Sequence, residues 1–287
     1  MRLYKYFHPD RIDVLRNGTI RFSSPKVFND PFELKPHISS VGSKDKIEAG
    51  FETQLQSILT EQYAKLPAQQ RKQVSLEQLH KLAKDKLPEF KVELQKYAEI
   101  AVPIAQQIIY KTFEEMIGIL CLTESPENLL MWAHYASSHQ GFVVEFDINS
   151  PFFDQRKNSD DEFRHLRKVI YREERPSLVL SEVEDFAPFL TKGVEWSYET
   201  EWRMMLPLTS ADVVIGEGAT AVHLYKFPIS AIRSVILGCR ISETNVREIH
   251  QLIASAEELK DVSCLQAQLD ETHYRLILSE SRLGRIP

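Results

Sequence analysis

The sequence predicts an α+β fold: a mixed, largely antiparallel sheet core interrupted by a helical insertion. Three observations lead there. Short segments of alternating apolar and polar residues recur near both ends of the chain. Single helical patterns separate them in no regular strand–helix–strand rhythm, which favours α+β over a doubly wound parallel sheet. Glycine is absent between Gly50 and Gly118, where Gln, Lys, Glu, Leu and Ala dominate.

Taken in order, LYKYF (3–7) reads as a strand. His8-Pro9-Asp10 opens a helix and Asn17-Gly18 closes it, since proline and an acid suit the first turn and glycine the end. TIRFS (19–23) alternates Ile20 and Phe22 against Arg21 and Ser23, as a strand does. A proline-rich loop, SSPKVFNDPFELKP, follows. Residues 44–117 read as the helical insertion, with Ser75 and Gln78 spaced as a capping box; Pro67, Pro88 and Pro103 are expected to cut it into three or four helices. The core, residues 1–43 and 118–287, resumes with GILCLT (118–123). Ser125-Pro126-Glu127 then begins a helix through NLLMWAHYASSH. Further strands are expected at 141–147, 167–171, 201–206, 221–227 and 234–238. A helix at 242–257 buries Val246, Ile249, Leu252 and Ile253, and one or two strands end the chain.

Composition narrows the classes. Of 287 residues, 43% are hydrophobic and 26% charged, as in an ordinary globular protein. No apolar run approaches a membrane span, and the charged N-terminus lacks a secretory signal, so a cytoplasmic protein without a membrane partner is expected. A net charge of −6 gives no general attraction for nucleic acid. Cys121, Cys239 and Cys264 are too few and scattered for a disulfide framework or zinc site, and read as small buried hydrophobes.

Three segments carry candidate chemistry. EWSYETEWRMML (195–206), taken as a strand, puts Trp196, Tyr198, Trp202 and Met204 on one face and Glu195, Glu199, Glu201 and Arg203 on the other. Two carboxylates and a guanidinium so placed would align hydroxyl groups and stabilise developing positive charge. The competing reading is a surface pair of Glu199 and Arg203 at helical spacing. In FSSPKVFNDPFE, Asn29 and Asp30 form a turn that Phe28 and Phe32 anchor, or else a pocket rim offering Ser23, Ser24, Asn29 and Asp30. In MWAHYASSHQGFVVEFD, Met131 and Tyr135 share a helical face with His134 beside them, while Trp132 lies on another; core packing is the alternative. His134 and His139 lack partners at metal-ligand spacing, so no metal is expected there. Nucleotide-loop and common hydrolase motifs are absent.

LYKY…LRNGTIRFSSPKVFNDPFE, MWAHYASSHQGFVVEFD and KGVEWSYETEWRMM together resemble the family called domain of unknown function 2971. More distantly, LYKYF…VLRNGTIRFS is similar to the start of ADP-ribosyltransferase-like proteins, including DNA-modifying toxins and RNA 2′-phosphotransferases. That resemblance implies an NAD-using enzyme, a glycosyltransferase in the broad sense, acting as a toxin or defence effector, for example in phage defence. Glu201 would hold the ribose hydroxyl of NAD and Glu199 would activate the nucleophile. Tyr4 or Tyr135 would stack on nicotinamide, and Lys5, where those relatives carry His or Arg, would bind phosphate or ribose. With Arg21, Ser23, Asn29, Asp30, Trp132 and His134, these residues would surround a small nucleotide-like ligand, and a protein or nucleic acid would be the target. Two other readings stay open: a phosphodiesterase or nuclease with a divalent metal on Asp30, Glu33, Glu145 and Asp147, and a non-catalytic module that binds a partner through the insertion.

Overall fold

The computed structural model describes residues 1–281. Two compact units are present. The first comprises Met1–Leu34, Thr112–Glu174 and the chain from Phe189 onward; the second comprises Lys35–Lys111 and Arg175–Pro188.

The first unit is built on an eight-stranded sheet whose strands, in chain order, are β1 (Leu3–Phe7), β2 (Ile117–Thr123), β3 (Phe142–Phe146), β4 (Arg167–Lys168), β5 (Glu201–Pro207), β6 (Ile232–Leu237), β7 (Ser263–Leu269) and β8 (Leu276–Glu280). Their spatial order is β8-β7-β6-β3-β1-β2-β5-β4. Only β6 and β7 run parallel, so the sheet is largely antiparallel, as expected. Alternation sorts each strand between two apolar clusters. Leu3, Phe7, Leu120, Leu122, Met204 and Leu206 enter the larger one. Tyr4 and Tyr6 enter the smaller, where the Tyr6 ring meets Trp132 edge-on at 5.3 Å. The helix Glu243–Ser255 seals the larger cluster with Val246 and Ile249. A separate sheet joins Thr19–Phe22, Val222–Lys226 and Val213–Ile215. RKVIY divides between β4 and a short strand, Ile170–Arg172, that pairs with Thr191–Gly193.

Two expectations in this unit need correction. The helix in NLLMWAHY spans Leu129–Tyr135 and is capped by Asn128, whose Oδ1 accepts from the Leu130 and Met131 amides, rather than by Ser125. It stops four residues early because Ser137, Ser138 and His139 are all left-handed (φ 49°, 55° and 71°). Such a run costs roughly 1–2 kcal/mol per residue. It returns the chain so that the Gly141 amide reaches the Ala136 carbonyl at 2.9 Å. Secondly, EWSYET is not extended. Val194–Glu199 is a 3-10 helix and Thr200 is left-handed at φ 43°; the strand begins only at Glu201.

The second unit holds helices Lys44–Lys65, Ala68–Arg71 and most of Leu76–Met116, with the strand pair His37–Ser40 and Ser177–Val179. The capping box forms: Ser75 N donates to Gln78 Oε1 at 2.8 Å, and Gln78 N to Ser75 Oγ at 3.1 Å. Pro67 separates two helices, but Pro88 and Pro103 lie inside the long one. Each proline removes one intrahelical donor. The carbonyls thus freed belong to Lys84 and Glu99, both exposed residues. No helix among the described residues is long and apolar enough to cross a membrane.

Candidate active site

A cavity of about 120 Å³ opens beside the centre of the main sheet. Its position follows from a split between two strands. β1 matches β3 at five register positions but β2 only at Tyr4↔Thr123. Across the gap, Lys5 Nζ donates to the Cys121 carbonyl at 3.1 Å, a side chain standing in for a ladder N–H. Tyr4, Tyr6, Phe28, Met131 and Tyr135 make an apolar wall; Glu33, Lys192, Glu199 and Glu201 make a charged end.

The charged end is one connected set. Arg203, 0% exposed, grips Glu201 with two parallel bonds, Nε to Oε1 and Nη2 to Oε2, each 2.8 Å. Its Nη1 lies 2.5 Å from Glu33 Oε1, an ion pair whose geometry is off the line of a hydrogen bond. Lys192 Nζ sits 2.5 Å from Glu199 Oε2, 3.4 Å from Glu201 Oε2 and 3.8 Å from Glu33 Oε2. It also lies 4.6 Å above the Trp196 ring. Tyr135 donates to Glu199 Oε1 at 2.6 Å and accepts from Asn29 Nδ2 at 3.4 Å. Tyr171 Oη receives the Glu201 amide at 2.8 Å.

Thr200 is what turns two near-neighbour acids into one space. A β-branched residue rarely takes positive φ. Here Thr200 N donates to the Ser197 carbonyl, and its own carbonyl accepts from Glu124 N. Thr123 Oγ1 secures the preceding carbonyl, that of Glu199, at 2.5 Å.

Three carboxylates share two cations in this set, and the shortfall falls on Glu199. Burial raises its pKa and the Glu201 charge raises it further, against the pull of Lys192 and Tyr135. Glu201 goes the other way: burial opposes its charge, but Arg203 and Lys192 outweigh that and bring its carboxyl from 4.5 down to about 2. Burial opposes the Lys192 charge too, yet Glu201, Glu33 and Glu199 keep its ammonium protonated beyond the usual lysine range. These directions fix an acid response. A carboxyl depressed on folding contributes stability that is present above 4.5 and lost as pH falls towards about 2, a few kcal/mol in all. Glu199, raised on folding, acts in the opposite sense. Urea midpoints followed from neutral pH down to about 3 should fall, and Glu201→Gln should flatten part of that fall. A wild-type midpoint constant over the range would contradict the clamp.

Of the residues singled out from sequence, Tyr4, Lys5, Asn29, Tyr135, Glu199 and Glu201 line this cavity, and Arg203 stands directly behind Glu201. Glu199 and Arg203 are therefore not a surface helical pair. Arg21 does not line it; its strand pairs with Leu224 in the smaller sheet. Ser23 is tied by backbone bonds to Ile119. Asp30 folds back to cap Phe32 N at 2.9 Å, so its turn role holds, whereas the Phe32 side chain is exposed. Trp132 is core, its Nε1 donating to the Pro126 carbonyl at 2.8 Å. His134 is exposed. Cys121 is a wall residue rather than inert filling.

The four acids of the metal reading have separate partners: Asp30 the Phe32 amide, Glu33 the cations of this site, Glu145 Ser234 and Arg2, and Asp147 Arg233. Among the described residues, no group of three or more His, Cys, Asp or Glu is arranged to hold a metal ion. Lys192 had not been singled out, although it stands in the KGVEWSYETEWRMM motif; that membership was the signal.

Residues 131–204 match the model of the family described as Protein of unknown function (DUF2971). Over that segment the chain is similar to the DUF2971 family. No curated protein and no solved structure matches. The DUF2971 segment contains Tyr135, Lys192, Glu199, Glu201 and Arg203, while Glu33, Tyr4 and Lys5 reach the site from outside it.

Proposed function

We propose that this cavity binds the nicotinamide–ribose end of NAD and breaks its N-glycosidic bond, passing the ADP-ribosyl group to a protein or nucleic-acid acceptor. One observation supports this above the others: a surplus of carboxylate over cation at the end of an aromatic-walled cavity. Such a space favours a flat cationic ring and, as the bond breaks, the positive charge growing on the ribose. Its room equals about four waters at about 30 Å³ each, enough for one small ring. The phosphates and adenosine of NAD would lie outside it.

Glu199 is the group assigned to meet the ligand, holding a ribose hydroxyl and stabilising the oxocarbenium-like state. Glu201 has both oxygens engaged by Arg203 and one by Lys192, so its part is to fix the lysine that orients Glu199. This gives Glu199 the ribose role that the transferase resemblance implied for Glu201.

Calorimetry with NAD, run beside an assay of nicotinamide release, tests the reading. The wild type should bind NAD and release nicotinamide. Glu199→Gln should still bind, with release reduced at least about 100-fold. A folded wild type that gives no binding heat and no nicotinamide would end the NAD reading; binding without release in any variant would leave a non-catalytic module.

A further inference from the structure

Lys5 is the cation of this cavity that the ionic set leaves out. Lys192 has three carboxylates around it, yet Lys5, half-buried on the same cavity, forms no ion pair among the described residues. Its hydrogen bond goes to a neutral acceptor, the Cys121 carbonyl at 3.1 Å. The Phe7 ring centroid lies 6.0 Å from its Nζ, and Leu122 also lines the cavity. Burial pushes its pKa below the ordinary lysine value. Cys121 and Glu201 oppose that without reversing it, and Arg11 and Arg21 reinforce it.

A desolvated lysine beside other cations is the arrangement that frees an amine lone pair near neutral pH. Donating one hydrogen to Cys121 does not consume that lone pair. An anionic ligand would be the alternative partner for Lys5, but the surplus of carboxylate at the other end of the cavity disfavours it.

We infer that Lys5 is a covalent site: its amine condenses with the carbonyl carbon of a small aldehyde, the open-chain form of a sugar, to give an imine. The nitrogen lone pair attacks the carbonyl carbon and the C=O electron pair moves to oxygen, which takes up a proton. The carbinolamine then loses that hydroxyl as water, and a C=N bond forms. The proton that leaves with the hydroxyl comes from the carbinolamine's own nitrogen, so the step consumes only the amine and the aldehyde. No oxidant or reductant enters, and hydrolysis reverses the step. The inference rests on the N-glycoside reading: where water takes the place of the acceptor, breaking that bond leaves a hemiacetal whose open-chain form carries an aldehyde.

The test traps the imine with cyanoborohydride in the full-length protein, using glycolaldehyde as the probe near neutral pH, and maps labelled peptides by mass. Lys5 should be labelled about tenfold or more faster than exposed lysines such as Lys81 and Lys84. Lys5→Met should remove that fast phase, with circular dichroism confirming the fold. Labelling of Lys5 no faster than those lysines overturns the inference, whether or not the same preparation releases nicotinamide from NAD. Fast labelling without nicotinamide release upholds it and removes only the NAD reading.

Discussion

Arg203→Met is expected to cost about 3–5 kcal/mol of folding stability, because it strips the cation from carboxylates buried beside it. The guanidinium is fully buried, holds both oxygens of Glu201, and is the closest cation to Glu33. Methionine fills similar space, so the loss reports charge more than a hole. Lys192 cannot cover the deficit, since it would then face three acids alone. A second substitution separates the causes. If uncompensated charge is what costs, adding Glu201→Gln to Arg203→Met should recover part of the stability; a packing defect would worsen with it. Urea midpoints measure both. A single variant within about 1 kcal/mol of wild type would mean that the cluster is solvated, contrary to its burial.

Gly141→Ala is expected to be comparably damaging for a purely steric reason. A Cβ built on Gly141 falls 1.9 Å from the Phe7 carbonyl oxygen and 3.2 Å from Ala136 Cα, both backbone atoms. Neither can rotate aside as a side chain would. Relief requires parting β1 from β3 at the Phe7↔Phe142 position, where the two rings stack at 5.3 Å, or unwinding the left-handed turn at 137–139. Either should cost about 3 kcal/mol or more. Thermal unfolding beside wild type measures it, and an unchanged midpoint would show that the strand pair is looser than its geometry.

Much of this was legible because a short apolar run is a local property. TIRF, GFVVEF and SVILG carry their burial in their own spelling, as does the helix with Val246 and Ile249. What escaped depended on distant partners. Nothing within WSYET shows that Thr200 adopts positive φ, since the conformation is held by Thr123 at the end of β2 and Glu124 just beyond it. Glu199, Glu201 and Arg203 do lie in one cluster, although the segment is not extended as expected. Glu33 reached the cluster through a turn whose cap, Asp30, could be read, but whose destination could not. Lys192 is seven residues from Glu199; in the extended reading an odd spacing puts the two on opposite faces, and the 3-10 helix Val194–Glu199 that brings them together was not expected. Pro88 and Pro103 misled because the rule for a helix breaker prices one lost bond, while a long run of Leu, Lys, Glu and Ala supplies many.

The uneven attachment of β1 has a mechanical meaning. One flank of that strand is stitched at five places and the other at one, with a lysine side chain for a rivet. The sheet is in effect two plates meeting at a joint, and the empty volume lies along the joint. A molecule lodged there becomes a structural member of the plate as well as cargo. Occupancy and resistance to heat are then the same quantity seen twice: at a hundred times its Kd, a ligand would brace the fold by about 2.7 kcal/mol.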